Sequence, residues 1–547
     1  MLRVNAARRE VPPPSIVSGN IVTMDPARPR AEAIAIRDGR IACVGSREAA
    51  AAAAGRRAAR LHFEGGAIVP GLIDSHNHML WTAVQRRLID LSGCRSIDQV
   101  LARVRERAER SPPDAWLVSG TGWHVESLHE KRYPTRQELD SVAGGRPVYL
   151  PRVGHAAAVN SAALRLAGID RDTPDPAGGR IGRDATGEPT GLLLEPPAFD
   201  LVGDRVPPLS AAQRRDALAQ IQADYHAAGL TGVIDPGLAP EDLGIYQQLW
   251  SEGRLTVRTV SMPLAQTHDD PEQLMAELGA WGVRTGFGDE WLRLGGLKVY
   301  LDGGASLGTA LMREPYPDER CQCGIQVTHT AVFHRIVEFC ARTGWSLGVH
   351  AVGGKAIDIA LEVFDDVHRR HPIDALRFSL IHAYLWPTPQ NIAAARRLGV
   401  AVATQASMQY RFAPLLIRRF GEALVGRATP VRSWLDGGIR VGGGSDSPIT
   451  PFEPLLGIWH AVTRFVDEIG TAVGTDEAIS VGEALDMYTR GSAWLSFADQ
   501  ERGMLRPGFA GDWVALSEDP FEVPALSLRD LRVRATCVGG ELVYRAA

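Results

Sequence analysis

Two histidines with one residue between them, His76 and His78, stand in the stretch AIVPGLIDSHNHMLW, residues 67–81. The apolar run Ile68, Val69, Leu72, Ile73 leads into Asp74 just ahead of them. Read as the end of a buried strand, the pair places both imidazoles on one face, because strand side chains alternate with period two. Two neutral imidazoles on one face can share a divalent cation, and imidazole suits zinc and its neighbours. His-x-His also occurs on ordinary surfaces. Its place after Pro70-Gly71 and an apolar run is what argues for a ligand role.

The stretch VPGLIDSHNH resembles the first barrel strand of the amidohydrolase superfamily, whose members are metal-dependent (β/α)8 hydrolases. That resemblance implies four further ligands: a Lys on strand 4, a His on each of strands 5 and 6, and an Asp on strand 8. Lys298 in GGLKVYLDG, His350 ending SLGVH, His382 ending SLIH and Asp446 in GGGSDSP meet these demands. Each also has an ordinary reading. A bare ammonium in an apolar strand is costly, so Lys298 is a snorkelling side chain, a neutral amine of lowered pKa, or a ligand. The resemblance implies its carboxylation by carbon dioxide, which would let it bridge two metals. A lone His after an apolar run is usually a satisfied core residue, but two at consecutive strand ends point to a shared centre. Gly442–Gly444 let the backbone approach closely and Pro448 stops the strand. Asp446 is then either a turn aspartate or the last ligand.

These side chains need a frame. Strand-like runs recur, most followed by a helical pattern, which is the signature of an α/β barrel. They fall at Leu72–His78, Thr231–Pro236, Thr256–Met262, Leu294–Leu301, Ser346–Ala351, Phe378–Ala383, Val400–Thr404 and Ile439–Gly443. Eight is the number that closes a (β/α)8 TIM-like barrel, expected over 66–504. SIVSGNIVTMD and AEAIAIRDGRIACVGS read as strands with a turn at Asp38-Gly39. A short helix is expected within Arg47–Arg60, with Gly55 as a weak point or stop. DWVALSEDP and VRATCVGGELVYRA supply strands at the other end. One composite β-sandwich built from 1–65 and 505–547 is therefore expected. Segment 92–210 fits no repeat; as an insertion after strand 1 it lies at the face where barrel enzymes build their sites. It is a candidate substrate-binding subdomain.

Further stretches resemble one branch of the superfamily, the YtcJ-like or family 3 amidohydrolases, which include N-substituted formamide deformylases. They are GTGW at Gly120–Trp123, PRVGHAAAVNSAAL at Pro151–Leu164, GEPTGLLLE at Gly187–Glu195 and PGFAGDWVALSEDPF at Pro507–Phe521. Val153 departs from the polar residue common in the branch, which blurs the role of His155.

Composition narrows the partners. The 547 residues carry a net charge of −5, with 45% hydrophobic and 22% charged residues, so nucleic acid is not an expected partner. Neither a signal-peptide core nor an apolar run of membrane-spanning length is present, and a cytoplasmic protein is expected, with a homodimer as the default. Six cysteines lie scattered, with Cys321-x-Cys323 too isolated for a zinc site.

The ligand chemistry favours zinc, with manganese, iron or cobalt as alternatives. The expected reaction is hydrolysis of an amide, formamide or cyclic amide bearing an apolar substituent. Asp446 is the expected proton carrier, with His382 on a second metal. His155, His124, Trp123 and Trp81 are candidates for substrate contact, and Tyr149, Trp386 and Met408 for an apolar lining. Two alternatives stand beside this: a mononuclear deaminase-like site of His76, His78, His350 and Asp446, and a non-catalytic barrel that binds a small ligand.

Overall fold

A computed structural model describes residues 12–120, 123, 125, 128–152, 156–176, 178–265, 271–306, 308–317 and 323–546. The chain divides into two compact units, Met1–Met79 with Ala219–Ala547, and Leu80–Leu218.

In the first unit, both chain ends enter one continuous seven-stranded sheet. Its order is Glu541–Arg545, Val533–Val538, Trp513–Leu516, Ala59–Pro70, Ser15–Val22, Arg30–Arg37 and Arg40–Gly45. The expected pairing of the two termini is present as one continuous ladder, whose two ends share a core that includes Ile34, Ile36, Trp513, Ala535 and Cys537. The twelve-residue strand Ala59–Pro70 explains this. Its first half pairs with Ser15–Gly19 and its last residues pair with Trp513–Ala515, with a register shift between. Asp38 and Gly39 take the positive φ values of 52° and 74° that the tight turn requires. Helix Arg47–Ala54 ends at Gly55 as expected.

The rest of this unit carries two parallel sheets. One has the order Leu292–Leu294, Arg258–Pro263, Leu230–Leu238, Leu72–Asp74; the other runs Leu297–Tyr300, Leu347–Ala351, Ser379–His382, Ala401–Thr404, Val441–Gly443. Two sequence expectations need correction. The strand expected at Leu294–Leu301 is broken at Gly295-Gly296, so that its halves pair with different neighbours. Close packing is the reason: a Cβ on Gly296 would lie 2.8 Å from the Ser346 backbone. The first strand also stops at Asp74, so His76 and His78 lie beyond it, and strand alternation is not what aligns them. At the seams between the sheets, Ala265 N donates to Lys298 O and Ser75 N to Gly443 O, each at 2.9 Å. Helices connect the strands. Gly354–His368, for example, buries Ile357, Ala360, Leu361 and Phe364 at helical spacing.

The second unit has a five-stranded sheet ordered Leu117–Val118, Val148–Arg152, Ala156–Val159, Pro189–Leu194, Arg180–Arg183. Segment 92–210 lies wholly inside it. No helix among the described residues is long and apolar enough to cross a membrane.

One buried ion pair ties the terminal sheet to the parallel strands. Arg258 donates from Nε and Nη2 to the Asp512 carboxylate at 2.9 and 3.1 Å and lies over the Trp291 ring. Asp512 also accepts from Gly539 N at 2.6 Å, and its carbonyl from Gly71 N at 3.0 Å. Removing Asp512 leaves the buried Arg258 with only the exposed Glu290, at 3.3 Å, as an ion-pair partner among the described residues. Asp512→Ala is expected to lower unfolding free energy by about 3–5 kcal/mol, read from the midpoint of a denaturant titration; an unchanged midpoint would refute the tie.

Candidate metal centre

Beyond Asp74 the chain leaves its strand, and the Asp74 carboxylate shapes the loop that carries both histidines. Its Oδ1 accepts from His76 N at 3.0 Å and Ser445 N at 3.1 Å; its Oδ2 accepts from Asn77 Nδ2 at 2.8 Å and Ser445 Oγ at 2.6 Å. Asp446 N donates to His76 O at 2.7 Å, and His78 N to Ser447 O at 3.0 Å. Two loops far apart in sequence are thereby laced together. The glycine expected to permit close approach does so: a Cβ on Gly444 would lie 2.8 Å from His76 N. Asp446 and His382 adopt positive φ, 57° and 74°, a conformation that costs a non-glycine residue of order 1–3 kcal/mol.

The lacing brings the expected ligands together. His76 Nε2 and His78 Nε2 each lie 3.1 Å from Asp446 Oδ1. The His382 ring centre is 5.1 Å from that of His76 and 4.6 Å from that of His350. One ligand atom from each of His76, His382 and Asp446 fall within 4.8 Å of one another, a spread that one cation can span. Lys298 is fully buried on the strand Leu297–Tyr300. Among the described residues its Nζ has no hydrogen-bond partner, and it sits 4.8 Å from the Tyr300 ring centre.

Electrostatics favour the ligand state. Burial, with the Lys298 charge adding to it, pushes His76 down to about 3. Burial and the neighbouring His350 hold His382 well below the usual imidazole range. Both therefore stay neutral and keep lone pairs for a metal. Burial opposes protonation of His78 too, but Asp446 and then Asp235 outweigh it and raise its pKa. Although both rings touch the same Asp446 oxygen, the shifts run opposite ways: Lys298 acts strongly on His76, whereas His78 has Asp235 beside it at 3.9 Å. Burial would raise the Asp446 carboxyl, yet the contacts with His76 and His78 hold it well below the usual range. The Lys298 amine comes down to about 7 through burial, with Asp446 and Asp302 offsetting part of the shift.

Not every candidate joins this group. His124 and His155, with Val153, lie outside the described residues. Trp123 is buried in the core of the second unit, donates its indole N–H to Pro151 O at 2.9 Å and meets Tyr133 edge-on. Trp81, in the same unit, is 42% exposed. Tyr149 belongs to the second unit's core, and Met408 and Trp386 pack in a hydrophobic cluster of the first.

Sequence reasoning passed over the side chains that hold the ligands. His350 Nδ1 meets Asp302 Oδ1 at 3.1 Å, and His382 Nδ1 meets Gln405 Oε1 at 2.6 Å. Asn77 accepts from the Tyr225 hydroxyl at 2.6 Å. The available signal was position: Asp302 and Gln405 each stand just past the end of a strand, where a polar residue needs a reason.

Known proteins share this architecture. The sequence pattern described as the amidohydrolase family matches residues 63–544. A putative amidohydrolase, YtcJ of Bacillus subtilis (strain 168), is 33% identical over 96% of this chain and 98% of its own. The N-substituted formamide deformylase of Arthrobacter pascens is 31% identical over 97% of this chain and 98% of its own. A crystal structure of an uncharacterized metal-dependent hydrolase from Pyrococcus furiosus superposes with a TM-score of 0.74 at 25% identity, covering 93% of this chain and 100% of that one. Matching over nearly its whole length, the chain belongs to the amidohydrolase family of metal-dependent hydrolases.

Proposed function

We propose that this protein hydrolyses the carbon–nitrogen bond of a small amide, formamide or cyclic amide with an apolar substituent. The centre would lie on the rim of a closed eight-stranded α/β barrel. The observation that carries this reading is the convergence of His76, His78, His382 and Asp446 beside the partnerless buried amine of Lys298. Closure of the barrel is supported by the hydrogen bonds at both sheet seams. The substrate class is supported by the similarity to the deformylase of Arthrobacter pascens.

The donor set fits a divalent cation, zinc first. His76, His78 and Asp446 would hold it, with a second held by His350 and His382 and Lys298 between them. Such a cation supplies Lewis acidity, which polarises a carbonyl and makes water acidic enough to react near neutral pH. The chain's own groups do the rest. Asp446, ionised and facing the imidazoles, takes the proton of the attacking water and returns it to the departing nitrogen. His76 and His382, kept neutral by burial, do not repel a cation. The Lys298 amine, with a pKa of about 7, is nucleophilic enough near neutrality to attack carbon dioxide. The neutral amine forms the new N–C bond and gives up one proton, leaving an anionic N-carboxylate where the buried amine stood.

A mononuclear, deaminase-like centre is the second reading, favoured by the one-cation spread of the His76, His382 and Asp446 atoms. Metal stoichiometry separates them: two ions per chain with Lys298 carboxylated, or one with a free amine.

Dialysis against a chelator should abolish turnover of a panel of N-substituted amides, formamides and cyclic amides, and zinc should restore it; full activity in a metal-free preparation would exclude the mechanism. Asp446→Asn should fold but lose activity by about 10²–10⁴-fold, the range for a lost general base. A near-normal rate would remove Asp446 from that role. Because carboxylation needs the neutral amine, metal uptake by apoprotein in bicarbonate should rise with pH through about 7. The mass of one carbon dioxide should appear on the wild type and not on Lys298→Ala; a flat pH profile and an unmodified Lys298 would sink the carboxylation step.

A further inference from the structure

His350 and His382 are held by unlike neighbours. The His382 Nδ1 faces a neutral amide oxygen, that of Gln405, whereas the His350 Nδ1 faces a carboxylate, that of Asp302. Asp302 is buried, and its two oxygens are fully engaged. Besides His350, Oδ1 accepts from Val352 N at 2.9 Å, while Oδ2 accepts from Leu311 N at 2.9 Å and Gly353 N at 2.8 Å. Three of these four donors are backbone amides, which cannot turn into acceptors. They pin the carboxylate in place and keep it an acceptor, so the imidazole nitrogen it meets must carry the proton. His350 is thereby restricted to the tautomer with hydrogen on Nδ1 and a lone pair on Nε2. The packing around the clamp is tight: a Cβ on Gly353 would lie 2.0 Å from Leu311 O.

We propose that Asp302 is a positioning residue of the metal centre, one that binds no metal itself but fixes the tautomer and orientation of His350 and thereby strengthens binding at that ligand. The proposal rests on the metal-centre reading above. Its oxygens have four donors already, which leaves no place for a cation on Asp302. Losing the hydrogen-bond partner behind a ligating imidazole typically weakens metal binding about 10–100-fold.

The test is a double-mutant cycle read by zinc affinity of the apoprotein, titrated against a competing chelator. Asp302→Asn is expected to weaken zinc binding about 10–100-fold while circular dichroism shows a folded protein. In a His350→Ala background the same change should cause no further loss. If Asp302→Asn lowers only the thermal midpoint and leaves affinity unchanged, or weakens binding equally in both backgrounds, Asp302 is a loop clamp and the proposal fails. Should Asp302→Asn not fold, Asp302→Glu, which keeps the charge but displaces the oxygens by one methylene, enters the same cycle with the same criteria. A nitrogen-15 spectrum of the wild-type apoprotein gives a further reading: His350 protonated on Nε2 overturns the proposal without any mutation. A wild type that binds no zinc overturns the metal-centre reading itself, whereas wild-type binding with an unaffected Asp302→Asn overturns this one alone.

Discussion

An ammonium shut inside an apolar strand is hard for any protein to keep, and among the described residues Lys298 has no hydrogen-bond partner to relieve it. Burial answers part of the difficulty by bringing the amine down to about 7, and the carboxylates of Asp446 and Asp302 act on what charge remains. The surrounding imidazoles add to the constraint, since a second or third cation beside Lys298 would be worse still. Burial keeps His76 and His382 neutral, and the Lys298 charge itself helps to do so. His76 and His382 are therefore lone-pair donors beside the ionised Asp446 and the buried amine, while His78, next to Asp446 and Asp235, is the imidazole that favours a proton.

Holding such a set costs backbone strain and polar burial, and the rim of the parallel sheets offsets both. Asp74 takes four hydrogen bonds from His76, Asn77 and Ser445, so the loop carrying the first two histidines and the loop carrying Asp446 share one anchor. That anchor holds Asp446 in its left-handed conformation while Gly444 lets the backbones meet. Since Asp74 is buried, its own carboxyl is raised to about 6, burial outweighing the four bonds it accepts. A group that needs this many donors to stay in place is a scaffold for the ligands, not a reactant.

Much of this was legible in the sequence because the parallel strands are apolar runs in which a polar residue stands out. His350 and His382 lie at the ends of such runs, Lys298 interrupts one and Asp446 follows one, and the structure gathers His382 and Asp446 with His76 and His78. The strand edges were less legible. Gly295-Gly296 reads as part of one strand, and only the closeness of Ser346 and Val260 shows why the chain must break there. His76 and His78 are aligned not by strand alternation but by Asp74, Asp446 and Ser447, a cause that lies hundreds of residues away for two of the three. The partners of the ligands were hidden for the same reason. Asp302 and Gln405 gain meaning only once strand ends are neighbours in space. Trp123 shows the converse: an aromatic in a distinctive motif is core in its own unit.

The charges around Lys298 bear on the proposed carboxylation. Asp446 brings a negative charge, with Asp235 beside His78 and Asp302 acting on the lysine, and a dication in the proposed centre would add positive charge next to an amine that is itself partly protonated. Converting the amine to a carboxylate replaces a repulsion with an attraction at the same position. In a desolvated site that reversal is worth far more than in water, because Coulomb energies grow as the effective dielectric falls. The residual positive charge of a loaded centre then has one natural counterpart, the negative charge that develops on a carbonyl oxygen as water adds to it. A buried lysine whose Nζ has no hydrogen-bond partner among the described residues is poorly suited to a structural role and suits the proposed chemistry.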